Sequence, residues 1–128
     1  FDMIILDYRD RRPIYEQIMK RFQELMVSGV MEQDSQLPSV RSLAMDLSIN
    51  PNTIQRAYAE LERKGYIYSV KGKGSFVADN TMIKDTKKEA VLKKQEELAV
   101  EATFLEVERE KLHSIIDEIY DRGGKKND

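Results

Sequence analysis

The 128-residue chain contains no cysteine. That excludes a disulfide framework, a thiolate metal site and a cysteine nucleophile. His113 is the sole imidazole, so no histidine pair is available for catalysis or metal ligation. Long apolar runs are missing as well. The longest is Met3-Ile4-Ile5-Leu6, against the roughly 20 residues a membrane-spanning helix needs. The first residues lack the basic region, apolar stretch and small-residue cleavage site of a signal peptide. Six methionines without a cysteine fit a reducing compartment, so a cytoplasmic protein without membrane contact is expected. A basic surplus is also absent: 21 Lys+Arg face 23 Asp+Glu, a formal net charge of −2. DNA-binding domains usually carry a cationic excess, so the total argues against nucleic acid unless the charges are unevenly placed. Finally, residues 81–122 contain neither glycine nor proline.

What remains is one ordinary domain, or a small domain with an appendage. The chain is too short for a TIM barrel or a complete dinucleotide-binding enzyme. Residues 3–8 read as a short strand or an apolar arm. Pro13 opens a helical pattern in which Ile14, Ile18, Phe22, Leu25 and Met26 recur at helical spacing to about Val27. Ser28-Gly29 ends it, and Gln33–Gln36 reads as a turn. Ser39 is the expected N-cap of a second helix whose apolar face is Val40, Leu43, Ala44 and Leu47. Asn50-Pro51 starts a third, with Ile54, Ala57, Tyr58 and Leu61 inward and Gly65 at its end. The connection between these two helices has the length of a helix-turn-helix. Tyr66–Val70 and Ser75–Ala78 are strand-forming segments around the turn Lys71-Gly72-Lys73-Gly74, a hairpin pattern. The fold class expected is therefore mainly α with a small β-hairpin: a winged helix-turn-helix over 3–80, followed by a helical appendage.

In a helix-turn-helix the second helix enters the major groove with its N-terminal residues facing the bases. Removing the inward Ile54, Ala57 and Tyr58 leaves Asn52, Thr53, Gln55 and Arg56 on the open face. Asn and Gln can pair bidentately with adenine, and Arg with guanine or phosphate. The amides after Pro51 are expected to be free for a phosphate at the helix start; a merely polar, capped surface helix is the competing reading. Lys71 and Lys73 flank Gly72 at the hairpin tip, where cations meet a residue that lets the backbone approach closely. An ordinary solvated turn would look the same in isolation. Arg41, on the second helix, either reaches DNA or pairs with Asp46 or Glu60.

Five ordered blocks carry a resemblance to a known family: Pro13–Ile18, Leu37–Ala44, Asn50–Tyr58, Leu61–Ile67 and Gly72–Val77. Together they resemble the GntR family of bacterial transcription regulators across residues 3–78. The short helical C-terminal part is similar to the YtrA subfamily. The resemblance implies a dimeric regulator, usually a repressor, on a palindromic operator, often of a transporter operon. It also implies DNA contacts from Arg41, Pro51, Asn52, Thr53, Gln55, Lys71, Gly72 and Lys73, to which the helix-face reading adds Arg56. The sequence departs from the family in two places. The family's Pro-Gly-Asp turn is Gln33-Asp34-Ser35 here, with Asp34 able to tolerate a left-handed backbone. The family's glycine between the C-terminal helices is absent from Phe104-Leu105-Glu106-Val107. Two helices, about 83–103 and 107–121, are expected, with one continuous helix as the alternative.

Within 81–122 the apolar residues Val91, Leu98, Leu105, Leu112 and Ile119 recur every seven positions, but the partner seam is Gln95, Ala102, Arg109 and Ile116. One good seam and one poor seam fit packing between chains better than a regular coiled coil. The expected dimerisation residues are Val91, Leu98, Leu105, Leu112, Ile116 and Ile119, with a flexible tail over 123–128. The interleaved charges Glu96, Glu97, Glu106, Glu108 and Glu110 with Lys93, Lys94, Arg109 and Lys111 read as a solvated helix face, not a metal or acid–base site. Gly72-Lys73-Gly74-Ser75 lacks the spacing of a phosphate loop. No enzyme activity, cofactor or metal is expected. Five of the six methionines lie outside the C-terminal part, so a large effector pocket there is not expected either, and the residues name no effector. A protein-interaction module whose helical tail binds a partner is the alternative function.

The charge total resolves by region. Residues 35–78 hold six basic side chains (Arg41, Arg56, Arg63, Lys64, Lys71, Lys73) against three acidic ones (Asp46, Glu60, Glu62). A modest cationic reading head is balanced by acidic residues elsewhere.

Overall fold

Proline and capping side chains set the starts of the first three helices. The computed structural model describes Phe1 and residues 3–127, the side chains of 124–127 excepted. Helix α1 (Ile14–Val27) follows Pro13, α2 (Val40–Leu47) follows Ser39, and α3 (Pro51–Arg63) follows Asn50. The Ser39 hydroxyl accepts from the Ser42 amide at 3.0 Å, and the Asn50 carbonyl oxygen of the side chain from the Asn52 amide at 2.8 Å. Each satisfies one orphan donor of its helix. Pro51 occupies the first helical position, where a missing N–H costs nothing. Ser48, in the left-handed region at φ 55°, ends α2. The Ile49 amide then donates to the Ala44 carbonyl at 3.0 Å. The three-residue link 48–50 turns α2 into α3.

Strands β1 (Ile67–Val70) and β2 (Gly74–Val77) pair antiparallel, with Ile67 opposite Val77 and Val70 opposite Gly74. A third extended segment joins them. The Asp34 amide donates to Val77 O, Val77 N to Ser35 O and Leu37 N to Ser75 O, at 2.8–2.9 Å. The stretch read from sequence as a simple turn thus doubles as an edge partner of the hairpin. Its tight start is Asp34 at φ 66°, the left-handed position that the Gln33-Asp34-Ser35 variant was expected to tolerate.

Two compact units result, Phe1–Lys84 and Asp85–Asp128. In the first, Ile18 and Phe22 of α1, Leu43 of α2, Ile54, Ala57 and Leu61 of α3 and Val77 of β2 are essentially inaccessible. Phe22 meets Tyr58 edge-on, ring centroids 5.7 Å apart. The apolar arm before α1 is irregular rather than a strand. Ile4 enters the core, and the buried Gln17 clasps the arm through hydrogen bonds with Asp7 and Arg12 backbone groups at 3.0–3.2 Å.

Helices α4 (Thr81–Phe104), which from Asp85 onward belongs to the second unit, and α5 (Arg109–Asn127) are separate. The break needs no glycine. Glu106 takes φ 56°, and Val107 N donates to Ala102 O at 2.9 Å, closing α4 as a left-handed C-terminal turn. The first helix ends at residue 104 and the second begins at 109, close to the boundaries read from sequence. Helix α5 runs past residue 122 and through Gly123, since glycine weakens a helix without forbidding it. Asp128, the end of the expected flexible tail, lies outside the described residues.

Candidate nucleic-acid interface

The residues singled out from sequence fall on three surfaces of the first unit. Arg41 stands exposed in the first turn of α2. Asp46 accepts from the Phe1 amino group at 2.8 Å, and Glu60 pairs with Arg63 at 2.7 Å, so neither carboxylate neutralises Arg41. The Arg63 guanidinium also holds the Glu60 carboxyl below the usual carboxylate range. Pro51, Asn52, Gln55 and Arg56 are exposed on α3 and Thr53 is half-buried, while Ile54, Ala57 and Tyr58 face inward. The division of α3 into a core face and a polar face is the one its periodicity predicts.

The free amides expected after Pro51 are not there. Asn52 N is taken by the Asn50 side chain and Thr53 N by the Asn50 carbonyl at 3.0 Å. The same cap that starts α3 removes its first donors, so the open face offers side chains rather than backbone.

The orientation of α3 is secured from the segment that leads into α2. Tyr58 is buried, and its hydroxyl donates to Pro38 O at 2.7 Å. Burial pushes its ionisation well above that of a free phenol, which keeps it a neutral donor.

At the hairpin tip Lys71, Gly72 and Lys73 are all exposed, and Gly72 has φ 79°, a backbone that favours glycine. The tip is anchored by a residue that no sequence signal marks. The Gln36 side-chain amide donates to Lys73 O at 2.8 Å. Gly74 lies against it at φ 125°, where an added Cβ would stand 2.8 Å from Gln36 Nε2. Below the tip Tyr68 stacks on Phe76 at 5.6 Å and donates its hydroxyl to Asp34 at 2.8 Å. That hydrogen bond raises the Tyr68 ionisation. The Tyr68 ring is thus engaged in strand packing.

One further contact was invisible to the sequence. The Arg56 guanidinium lies 3.8 Å over the Tyr15 ring at the start of α1. Pro13, Ile14 and Tyr15 form one wall of a shallow groove whose other wall is Asn52, Thr53 and Arg56. Three of the expected DNA residues are brought together there.

In the second unit the expected dimerisation residues remain open: Val91, Leu98, Leu105, Ile116 and Ile119 are exposed and Leu112 is half-buried. Phe104, Ile115 and Tyr120 are also exposed, and the seven-residue seam missed them. Among the described residues no cluster of metal-ligating side chains exists, and no helix is long and apolar enough to cross a membrane.

Comparison with known proteins agrees with this geometry. Residues 14–77 match the model of the bacterial regulatory proteins of the gntR family. The HTH-type transcriptional repressor YtrA of Bacillus subtilis is 42% identical over 130 residues, covering 98% of this chain and 100% of its own. A transcriptional regulator from Oenococcus oeni superposes with a TM-score of 0.71 at 30% identity, over 94% of this chain and 99% of that one. The DNA-binding domain of AraR in complex with operator ORR3 superposes with a TM-score of 0.51 at 28% identity, over 58% of this chain and 89% of that one. The winged helix-turn-helix, the polar face of α3 and these relatives together show that the chain belongs to the GntR family of bacterial regulatory proteins and is a DNA-binding transcription regulator.

Proposed function

We propose that the protein is a homodimeric repressor that binds a palindromic operator from the cytoplasm, with α3 in the major groove of each half-site. Arg41, Pro51, Asn52, Thr53, Gln55 and Arg56 provide the reading face, and Lys71, Gly72 and Lys73 the wing contact. The observation that carries this reading is the α3 surface: hydrogen-bonding side chains outward on a helix whose other face is sealed in the core. The residues 81–122 bury their apolar side chains against a second subunit, through Val91, Leu98, Leu105, Leu112, Ile116 and Ile119. Two half-sites then lie about 34 Å apart, one turn of the duplex. The subfamily resemblance points to a transporter operon as the target class.

Fluorescence anisotropy tests this with duplexes from upstream of the protein's own gene and with random DNA. The expected result is a steep fall in affinity with salt, because phosphate contacts release counterions, and clear preference for one duplex. Arg41→Ala with Lys71→Ala should abolish DNA affinity while sedimentation still reports a dimer. Equal affinity for all sequences at every salt concentration would exclude a specific operator among those tested.

A further inference from the structure

We propose that Tyr15 is a positioning residue for DNA contact: its ring face holds the Arg56 guanidinium in place on α3 before DNA arrives. The proposal rests on the reading that the open face of α3 meets DNA.

The geometry has four parts. Arg56 projects from the exposed side of α3, next to the inaccessible Ala57. Tyr15 projects from the first turn of α1, and its ring centroid is 3.8 Å from the guanidinium carbon. Ile18 and Phe22 of α1 and Ile54 and Ala57 of α3 have no accessible surface, so a close-packed core fixes the distance between the two helices. Competing partners are also engaged elsewhere. Glu60, one turn along α3, is paired with Arg63 at 2.7 Å. Among the described residues Arg56 has no ion pair and the Tyr15 hydroxyl no hydrogen bond, so the ring face is what engages the cation.

A guanidinium whose carbon sits over a ring face keeps its outer N–H edges available. Those edges are what a phosphate or a guanine accepts from. An unrestrained arginine loses extensive rotamer freedom when it binds, and prior ordering removes part of that cost. Helix α1 thereby belongs to the reading head, although its sequence pattern is that of a core helix.

The test uses the full chain and a fluorescein-labelled duplex selected by the wild-type protein from a random-sequence library. Arg56→Ala should weaken binding and lower the salt slope by about one per subunit. Tyr15→Leu should weaken binding about two- to fivefold per half-site, the range expected of an exposed cation–π contact, with the salt slope unchanged because the charge remains. Tyr15→Phe, which keeps the ring, should bind like the wild type. In the Arg56→Ala background Tyr15→Leu should have no further effect. Without DNA, the Arg56 Nε–H resonance, identified by its loss in Arg56→Ala, should be ring-current shifted in the wild type and in Tyr15→Phe and return to the ordinary arginine position in Tyr15→Leu.

A loss in Tyr15→Phe equal to that in Tyr15→Leu would assign the hydroxyl to DNA and overturn the proposal. Additive losses in the double variant would overturn it too. An unshifted Arg56 resonance in the wild type does so even if Tyr15→Leu fails to fold. Undiminished binding by Arg56→Ala removes Arg56 from the interface and the proposal with it. Failure of the wild type to select any sequence marks the wider operator reading, rather than the stack alone, as wrong.

Discussion

Phe22 and Leu98 are both large apolar residues in the body of a helix, one in α1 and one in α4. Phe22 has no accessible surface, whereas Leu98 keeps 63% of its own. The contrast extends to the units around them. Residues 1–84 close a core from three helices and a hairpin; in the rest of the chain Ala102 is the one buried side chain among the described residues. Fully burying a Leu, Ile or Phe stabilises by about 1.5–3 kcal/mol, so the first unit is held by its own tertiary contacts. The helices of the second rest mainly on local hydrogen bonds, whereas most helical stability in proteins comes from packing of an apolar face. Exposed apolar surface is the feature of this unit that supports the proposed second subunit.

Substitutions can sharpen or break that contrast. Phe22→Ala should cost about 3–5 kcal/mol and dominate the thermal unfolding of the protein. Leu98→Ala should leave the melting of the first unit unchanged and weaken self-association about tenfold, read by sedimentation equilibrium across concentrations. If Leu98→Ala instead destabilised the first unit as Phe22→Ala does, the division between a self-sufficient head and a partner-dependent tail would be wrong.

Within the head, Gly74→Ala combines a left-handed backbone with a 2.8 Å approach to Gln36. A loss of about 1–3 kcal/mol is expected, and Gln36→Ala in the same chain should return the steric part of it in chemical denaturation. Tyr58→Phe removes the hydrogen bond to Pro38 O and should cost about 1 kcal/mol. In the tail the smallest effect has the opposite sign. Glu106→Gly relieves a non-glycine left-handed residue and should raise helix stability by about 0.5–1 kcal/mol, seen as a higher midpoint for loss of helical circular dichroism.

These outcomes also separate local from distant causes of the fold. Ser39, Asn50 and Pro51 act on amides within three residues of themselves, so their helix starts were readable directly. The alternation of buried and open positions on α3 was readable for the same reason: 3.6-residue periodicity assigns Ile54, Ala57 and Leu61 to one side. Asp34 was recognisable as a residue able to adopt φ > 0. The separation of α4 from α5 was expected, but not its means, since Glu106 replaces the glycine that usually occupies such a turn.

The remaining features join residues far apart in the chain. Gln36 reaches Lys73, Tyr68 reaches Asp34 and Arg56 lies on Tyr15. No periodicity or motif couples such pairs, because each needs a packed core to bring two backbones within side-chain reach. The removal of the Asn52 and Thr53 amides from the phosphate-binding role is local by contrast: the Asn50 side chain takes one and the Asn50 carbonyl the other. Local chemistry therefore set the elements, their polarity and the family to which they belong, since capping, periodicity and turn conformation act over a few residues. Packing alone decided how firmly the wing and Arg56 are held, because those contacts exist only once α1, α3 and the hairpin share one core.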